Sequence, residues 1–340
     1  MKAAIVEAAG KLAVREVPEP VFGDYEARCE LLYGAVCSGT DTHLVQGHPP
    51  FCHWLKAPFI LGHESVGEVV AVGGKVRYLK LGDRVTRVGT PPLDGIGIGW
   101  GGFAEVGVAT DWRAMQEDGV DGWAGMTVQQ ILPPDIDAAT GTMFITWRET
   151  LSYTLRLGVR ERCNVLIVGS GGNGLAFASN ARNLGAATVT LVGTATRAEA
   201  AIAAGATMFA DYRAPDCWDK VRAAVSGGYD VAIDVLGSQA TALAALASLR
   251  SGGTIGVYGM DDAGAIRLPA MQSYTCYAGG YDEAEAHDRV LSFYRAGKLN
   301  PAIWLDRRQV FSLDNINDAF AALRQKHLIK PLVKLSGLDH

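Results

Sequence analysis

The sequence NVLIVGSGGNGLAFASNARNLGAATVTLVG, residues 164–193, carries the strongest indication of a fold. Val165 to Val168 is an apolar run typical of a strand buried on both faces, and Val189 to Val192 is a second such run. Between them, Leu175 to Leu184 predicts a helix that Gly185 would end. A strand, a helix and a second strand in this order predict a βαβ unit with parallel strands.

The six residues between the first strand and the helix have the GxGxxG spacing of a dinucleotide-binding turn. The first glycine permits a tight turn, the second lets the backbone approach a pyrophosphate, and the third allows close packing of the helix. The helix N-terminus adds partial positive charge for the phosphates. We predict that this glycine loop binds the cofactor, the alternative being a turn without a ligand; its candidate residues are Gly169, Gly171, Gly172, Asn173 and Gly174.

The choice between NAD and NADP depends on the end of the second strand, where an acidic residue would bind the ribose hydroxyls of NAD. This chain has Gly193 there, with Thr194 and Arg197 close by. Because no carboxylate repels a 2′-phosphate, NADP(H) is favoured, although NAD remains an alternative and Arg197 could be an exposed helix residue. Two further candidates for contact with the cofactor are Tyr212 and Lys330. Tyr212 could instead have a structural role.

Length and patterning indicate two domains. A chain of 340 residues exceeds what one hydrophobic core usually serves. Strand candidates at Asp230 to Val235 and Thr254 to Tyr258 extend the βαβ unit into a doubly wound sheet. The earlier part of the chain predicts a mostly β domain, from the runs ESVGEVVAVG (64–73), GDRVTRVG (82–89) and GGFAEVGVA (101–109). We predict an α/β fold with one domain formed by residues 1–140 and 296–340 and a nucleotide-binding domain formed by residues 141–295.

Charge and cysteine usage exclude several classes of function. The formal net charge is −5, and no basic run offers the surface that nucleic acid would need. No apolar run approaches the roughly 20 residues needed to span a bilayer, and the N-terminus lacks the pattern of a signal peptide. The six cysteines include no CxxC pair, which disfavours a disulfide framework or a four-cysteine zinc cluster. We expect a soluble, cytoplasmic protein without nucleic-acid or membrane partners.

The stretch GAVCSGTDTH, residues 34–43, holds a thiol, two threonine hydroxyls, a carboxylate and an imidazole. Further along, ILGHESVGEVVAVG contains His63 and Glu64. Cys37 and His63 are suitable ligands for Zn²⁺, and a catalytic zinc needs three protein ligands and one open position. The alternatives are a small buried apolar role for Cys37 and a surface role for His43.

Taken together, these motifs make the chain resemble a medium-chain dehydrogenase/reductase of the zinc-dependent alcohol dehydrogenase type. The motifs that carry the resemblance are CSGTDTH, GHESVGEVVAVG, GDRV, GGFAEV, GSGGNG, GGTIGVYG and the closing INDAFAALRQKHLIKPLVKL. The resemblance implies a GroES-like catalytic domain beside a Rossmann domain. It also implies that Cys37 and His63 bind a catalytic zinc, that Glu64 lies beside it, and that Thr40 passes the alcohol proton toward His43.

The chain departs from the family pattern in three places. Two residues, Ser38 and Gly39, stand between the cysteine and the Thr-Asp pair, where the family has one. The stretch between Val85 and Gly101 lacks the cysteine-rich lobe, so a structural zinc is not expected.

The third departure concerns the third zinc ligand, whose usual position falls near Phe144 or Ile145, neither of which can bind a metal. Glu149 lies one helical turn beyond Ile145 on the same face and is a candidate, with an exposed helix residue as its alternative. If Glu149 does not serve, Cys37, His63 and Glu64 could form the site, or zinc could be absent.

The resemblance implies an oxidoreductase that transfers a hydride between NADP(H) and a secondary alcohol/ketone or aldehyde, with one catalytic zinc. A homodimer or homotetramer is expected. The alternatives are a zinc-independent NADPH-dependent quinone or enone reductase of the same superfamily and a noncatalytic nucleotide-binding protein. Pocket candidates, each of which could instead be core, are Trp54, Phe59, Trp100, Trp147, Tyr274 and Met271.

Overall fold

The computed structural model describes residues 1–270 and 273–337. It divides into two compact units, one formed by Met1–Ile145 with the described part of Trp304–His340, the other by Thr146–Ile303. Met271, one of the pocket candidates, lies outside the described residues. In the described part of the chain, no helix is both long and apolar enough to cross a membrane.

The strands in chain order are β1 (Lys2–Ala8), β2 (Lys11–Glu16), β3 (Glu26–Ala35), β4 (Phe59–Ile60), β5 (Ser65–Val72), β6 (Arg84–Thr86), β7 (Gly97–Ile98), β8 (Val106–Thr110), β9 (Ile131–Leu132), β10 (Asn164–Val168), β11 (Thr188–Gly193), β12 (Met208–Asp211), β13 (Tyr229–Asp234), β14 (Leu249–Val257), β15 (Tyr274–Tyr277), β16 (Val310–Ser312) and β17 (Leu332–Lys334). The α-helices are α1 (Thr40–Gln46), α2 (Trp112–Glu117), α3 (Ala138–Gly141), α4 (Met143–Arg156), α5 (Gly172–Asn183), α6 (Ala198–Ala203), α7 (Cys217–Ala224), α8 (Gln239–Leu246), α9 (Glu283–Arg295) and α10 (Ile316–Arg324).

The second unit contains a six-stranded sheet with the order β12-β11-β10-β13-β14-β15, and each neighbouring pair is parallel. This is the doubly wound order of a Rossmann domain, so the predicted parallel α/β sheet of the second domain is confirmed. The predicted βαβ unit is present as β10, α5 and β11, with Val165 opposite Val189. Helix α5 begins at Gly172 rather than at Leu175, and Gly185 follows it with a φ of 91°.

The core of this unit lies between the sheet and its helices. Strands β10, β11 and β13 are buried at every residue but one each, as expected for parallel strands that are covered on both faces. One buried cluster contains Leu166, Val168, Val192, Ala210, Cys217, Val221, Val225, Tyr229, Ala232, Ala245 and Ile255. Burial of these side chains fixes the carboxyl ends of β10 and β11, which carry the glycine loop and Gly193.

The first unit contains a seven-stranded sheet with the order β16-β17-β3-β5-β6-β9, to which β8 is added alongside β3. A second sheet has the order β2-β1-β4-β7. The runs predicted as strands at residues 64–73, 82–89 and 101–109 contain β5, β6 and the first part of β8. The mostly β character of the first domain is therefore confirmed.

Candidate functional site

Three strand ends of the seven-stranded sheet meet at one edge. Strand β3 is antiparallel to β5 and to β17, with Gly34 opposite Ser65 and Ala35 opposite Leu332. The residues after β3 therefore lie beside those that precede β5 and β17. Backbone hydrogen bonds continue the pairing past the strands, from Ala35 N to Glu64 O (2.8 Å) and from Val36 N to Pro331 O (2.9 Å).

This edge brings together a metal cluster, defined here as Cys37, His63 and Glu64. One ligand atom from each residue lies within 4.8 Å of those of the other two, and all three side chains are buried. Sulfur, nitrogen and carboxylate oxygen are the donors that Zn²⁺ prefers. Ser38 and Gly39 lie in the turn between β3 and α1, so the additional residue leaves Cys37 within the cluster.

Asp41 supports the metal cluster from α1, and the sequence analysis assigned it no role. Its Oδ1 accepts a hydrogen bond from His63 Nδ1 (3.0 Å), and its Oδ2 accepts one from Cys37 N (2.8 Å). A carboxylate on one ring nitrogen leaves the other, Nε2, to a metal. Burial lowers the pKa of His63. The charge and hydrogen bond of Asp41, together with Cys37, raise it by more, so the pKa of His63 lies well above its ordinary value.

Lys330 occupies the side of the cluster that β17 supplies. It is fully buried, and its Nζ contacts Glu64 Oε1. The same carboxylate oxygen lies 3.6 Å from His63 Nε2. Lys330 was expected to contact the cofactor; this contact engages its ammonium with Glu64 and gives no support to that role. Sequence reasoning missed the pair because it depends on the alignment of β17 with β3.

Helix α1 carries the two predicted proton-relay residues. Thr40 is its first residue and His43 lies in its last turn, and both are partly buried. Nδ1 of His43 lies 3.0 Å from Gly39 O, and its ring meets the exposed ring of His48 edge to face at 5.8 Å. The helix therefore carries both hydroxyl and imidazole beside Asp41.

An aromatic wall, formed by Phe51, Trp54 and Trp100, lies next to the metal cluster. The ring centroids are 5.8–6.4 Å apart and the contacts are edge to face, a favourable geometry for aromatic pairs. The Trp100 ring also lies 5.6 Å from the ring of His63. Trp54 is 60% exposed and Trp100 is 38% exposed, so the wall presents apolar surface.

The backbone holds Trp100 in an unusual conformation. Its φ is 68°, in the left-handed region that a bulky aromatic residue rarely adopts. A Cβ added at Gly89 would lie 1.9 Å from Trp100 O, so the two chain segments pack without any intervening side chain. Strain of this kind persists where surrounding structure fixes it and is concentrated at functional sites.

Glu149, the candidate third ligand, lies in α4 of the second unit and is buried. Its carboxylate accepts hydrogen bonds from the hydroxyls of Tyr281 (3.0 Å to Oε1) and Tyr258 (3.2 Å to Oε2). These two bonds account for a buried carboxylate within the second unit. Its role as a metal ligand stays a prediction.

The glycine loop has the close backbone packing that its sequence predicts. Gly169 has a φ of 120°, and a Cβ added at Gly174 would lie 1.9 Å from Gly169 O. The loop runs directly into α5, whose first backbone N–H groups can meet phosphates. Oδ1 of Asn173 is buried and has no hydrogen-bond partner among the described residues, which fits a ligand that donates to it.

The end of β11 lies beside the glycine loop. Thr194 N donates to Ser170 Oγ (3.2 Å), and Tyr212 N donates to Gly193 O (3.0 Å). Tyr212 is half exposed, and its hydroxyl accepts a hydrogen bond from Arg213 Nε (3.1 Å).

Two arginines, Arg197 and Arg213, follow the ends of β11 and β12. Arg197 is partly buried, and that burial lowers its pKa. Arg213, which the sequence analysis did not consider, places its guanidinium over the ring of Tyr212 at 5.5 Å. The signal that could have identified Arg213 is its position directly after Tyr212, at the end of the next parallel strand.

Two family models match the chain. The alcohol dehydrogenase GroES-like domain matches residues 23–117, and the zinc-binding dehydrogenase model matches residues 172–277. A sorbitol dehydrogenase of Bacillus subtilis is 26% identical over 295 residues, which are 79% of this chain and 77% of that protein. An alcohol dehydrogenase of Cupriavidus necator is 27% identical over 291 residues, covering 77% of this chain and 78% of the relative.

Solved structures share the fold. An alcohol dehydrogenase from Thermus sp. ATN1 superimposes with a TM-score of 0.82 at 22% identity, covering 99% of this chain and 100% of the other. A zinc-binding dehydrogenase from Sinorhizobium meliloti, solved bound to NADP, gives a TM-score of 0.79 at 24% identity, with 98% of each chain covered. The two family models together with these relatives place the chain in the medium-chain dehydrogenase/reductase superfamily, as an enzyme of the zinc-dependent alcohol dehydrogenase type.

Proposed function

We propose that the protein transfers a hydride between NADP(H) and a secondary alcohol/ketone or aldehyde, with one catalytic zinc and no structural zinc. The observation that carries the proposal is the convergence of Cys37, His63 and Glu64 within 4.8 Å in a buried site. The Bacillus subtilis and Cupriavidus necator relatives, a sorbitol and an alcohol dehydrogenase, support alcohols as the substrate class.

The three residues of the metal cluster would hold the zinc, and Glu149 is the alternative third ligand. A Zn²⁺ ion bound there would supply a Lewis acid that polarises the oxygen of an alcohol or carbonyl. Asp41 fixes the ring of His63 through Nδ1 and the backbone of Cys37 through its other oxygen. A carboxylate in this position orients the ligand and raises its basicity.

Thr40 and His43 would move the substrate proton. The Thr40 hydroxyl accepts the proton of the alcohol and passes its own toward His43, whose imidazole can exchange protons with water. Replacement of Thr40 by Ala should lower turnover with little loss of zinc, whereas Thr40→Ser should retain most of the activity. Equal turnover in the wild type and Thr40→Ala would exclude this relay.

The proposed preference for NADP(H) rests on the end of β11. Gly193 offers no carboxylate to the ribose, and Arg197 and Arg213 offer cations to a 2′-phosphate. Arg197→Ala should raise the dissociation constant for NADPH about tenfold or more, while that for NADH changes little. Tighter binding of NADH than of NADPH by the wild type would contradict the preference.

The aromatic wall favours substrates with a bulky apolar group. Trp100→Ala should raise KM for 1-phenylethanol about tenfold and leave KM for 2-propanol nearly unchanged, because only the larger alcohol reaches the missing ring. Trp123→Ala, a partly buried tryptophan elsewhere in the first unit, is the matched control. An equal loss for both alcohols would place the ring outside the substrate site.

The zinc itself is tested on purified protein by elemental analysis and by NADP⁺-dependent oxidation of secondary alcohols. We expect one zinc per chain, and Cys37→Ala should lose both the zinc and the activity. Cys276→Ala, at an exposed cysteine, should retain both. Zinc well below one per chain, with reduction of quinones or enones by NADPH, would instead support a zinc-independent reductase.

A homodimer or homotetramer is the proposed assembly. Strand β15 is at the end of the six-stranded sheet, and the side chains of Thr275 and Cys276 are exposed. An open sheet edge of this kind can pair with a second copy. Light scattering after size-exclusion chromatography should give a mass at least twice the 36.1 kDa of one chain, and a monomer would contradict the proposal.

A further inference from the structure

Ser170, the second residue of the glycine loop, lies directly against Gly193. A Cβ built on Gly193 would be 2.2 Å from Ser170 Cβ and 2.3 Å from Ser170 Oγ. Real Cβ atoms do not approach other heavy atoms this closely, so a side chain at residue 193 requires Ser170 to move. The backbone of Gly193 lies outside the left-handed region, so the obstacle is the neighbouring side chain and not the φ angle.

A change of rotamer at Ser170 does not remove this obstacle. Rotation about χ1 moves Oγ but leaves Cβ in place, at 2.2 Å from the added atom. Rotation would also break the hydrogen bond that Oγ accepts from Thr194 N (3.2 Å). The loop of β10 and the end of β11 are thus fixed to each other by the side chain of Ser170.

We propose that Ser170 is a specificity-determining residue that acts together with Gly193. The position of Gly193 is where an NAD-type acid would bind the ribose hydroxyls. Ser170 fills the volume in which the first atom of such a side chain would lie. The lack of an acid at residue 193 and the side chain of Ser170 therefore both disfavour NAD(H). This inference rests on the proposed use of NADP(H).

One consequence is that cofactor preference cannot be exchanged at residue 193 alone. In Gly193→Asp the new side chain overlaps Ser170, so its carboxylate is not held where a ribose would meet it. In the double variant S170G/G193D the two overlapping atoms are gone. Phe209 Cε2 remains 3.3 Å from the new Cβ, a contact that a small shift of the ring relieves.

Steric coupling between the two residues is tested first, without any cofactor. Thermal unfolding of the zinc-loaded, full-length protein is measured for Gly193→Ala, Ser170→Gly and the double variant. Gly193→Ala should lower Tm by about 3 °C or more, and Ser170→Gly in addition should restore most of that loss. Ser226→Gly, at an exposed site of the same unit, is the matched control and should restore nothing.

Cofactor binding is tested second, by fluorescence titration with NADH and NADPH. Gly193→Asp alone should change the dissociation constant for NADH less than about threefold, whereas S170G/G193D should lower it about tenfold or more relative to Gly193→Asp. NADPH affinity should fall in both variants, because the acid repels the 2′-phosphate.

The two tests separate this inference from the proposed function. If Gly193→Ala leaves Tm unchanged, or Gly193→Asp alone binds NADH tenfold tighter than the wild type, Ser170 has no such role even though the enzyme prefers NADPH. If the wild type binds NADH more tightly than NADPH, the proposed preference fails whatever the Tm series gives.

Discussion

The metal cluster of the first unit is formed by contacts between polar side chains. The glycine loop of the second unit instead requires residues that have no side chain. Cys37, His63, Glu64 and Lys330 come from segments far apart in the chain, and all four are buried. The glycine loop is one continuous segment in which the backbone at Gly174 meets its own earlier turn.

This difference predicts opposite sensitivities. In the metal cluster each buried polar group interacts with another. Removal of one group therefore leaves its buried partner without a hydrogen bond or an opposite charge. In the glycine loop the backbone is in van der Waals contact with itself, so addition of one methyl group forces the chain apart. The contrast can be tested by removing atoms from the first region and adding them to the second.

The largest expected effect follows from Lys330→Met, at the lysine that contacts the metal cluster through Glu64. The substitution keeps an unbranched side chain, one heavy atom shorter, but leaves the buried carboxylate of Glu64 without the ammonium that contacts it. Loss of one member of a buried ion pair costs about 3–5 kcal/mol of unfolding free energy, measured by urea denaturation. The double variant Glu64→Gln/Lys330→Met should regain much of that loss.

The matched control is Lys2→Met, which breaks the exposed pair between Lys2 and Asp314 (2.7 Å). That variant should unfold like the wild type, because water screens exposed pairs. Similar stabilities for Lys330→Met and Lys2→Met would show that the contact with Glu64 is not a buried one.

Gly174→Ala should have the next largest effect, from one added methyl group. Its Cβ would lie 1.9 Å from Gly169 O. Such overpacking costs about 3 kcal/mol, and the better helix propensity of alanine returns only about 1 kcal/mol. A net loss of about 2 kcal/mol in urea denaturation, with weaker NADPH binding, is expected.

Gly280→Ala is the control for this variant, since a Cβ there would meet nothing within 4 Å. It should leave both stability and NADPH binding unchanged. If Gly174→Ala proves as stable as the wild type, the loop is less tightly packed than the structure indicates.

Asp41→Asn sharpens the comparison by removing one acceptor from the metal cluster. Asp41 accepts from His63 and from the backbone of Cys37, and an amide has only one acceptor oxygen for these two donors. Loss of such a supporting contact typically lowers metal affinity about 10- to 100-fold. Competition with a chelator measures the zinc affinity of the variant. The control is Asp94→Asn, at an exposed residue, which should leave the zinc affinity unchanged.

The smallest expected effect concerns Glu149 in α4, the alternative third ligand of the zinc. Its carboxylate already accepts hydrogen bonds from Tyr258 and Tyr281. Glu149→Gln should therefore cost about 1 kcal/mol of stability, comparable to Tyr281→Phe, and change zinc affinity less than about threefold. A tenfold loss of zinc affinity in Glu149→Gln, absent from Tyr281→Phe, would make Glu149 a metal ligand.

The same contrast explains what the sequence could predict. The βαβ unit and its loop are local, so apolar runs and glycine spacing were enough to find β10, α5 and β11. Helix α5 begins three residues early, at Gly172 instead of Leu175, because the last glycines of the loop also form the first helical turn.

The metal cluster was predicted in part, from residue types and from the likeness to a family. Asp41 was missed because a carboxylate in a polar stretch of sequence is usually exposed to solvent. The contact between Lys330 and Glu64 was missed because it depends on strands from opposite ends of the chain. Ser170 was missed because the motif leaves its position open, and only the distance to Gly193 reveals a constraint.

The return of the chain to the first unit through β17 has a consequence for synthesis. The second unit is continuous in sequence and can fold as it leaves the ribosome, whereas β3 of the first unit pairs with β17, a strand that is synthesised after the whole second unit. Until then the carboxylate of Glu64 has no ammonium beside it. We therefore expect nascent chains that stop before Lys330 to contain a folded nucleotide-binding unit and a metal pocket that captures zinc less well than the pocket of chains that include β17.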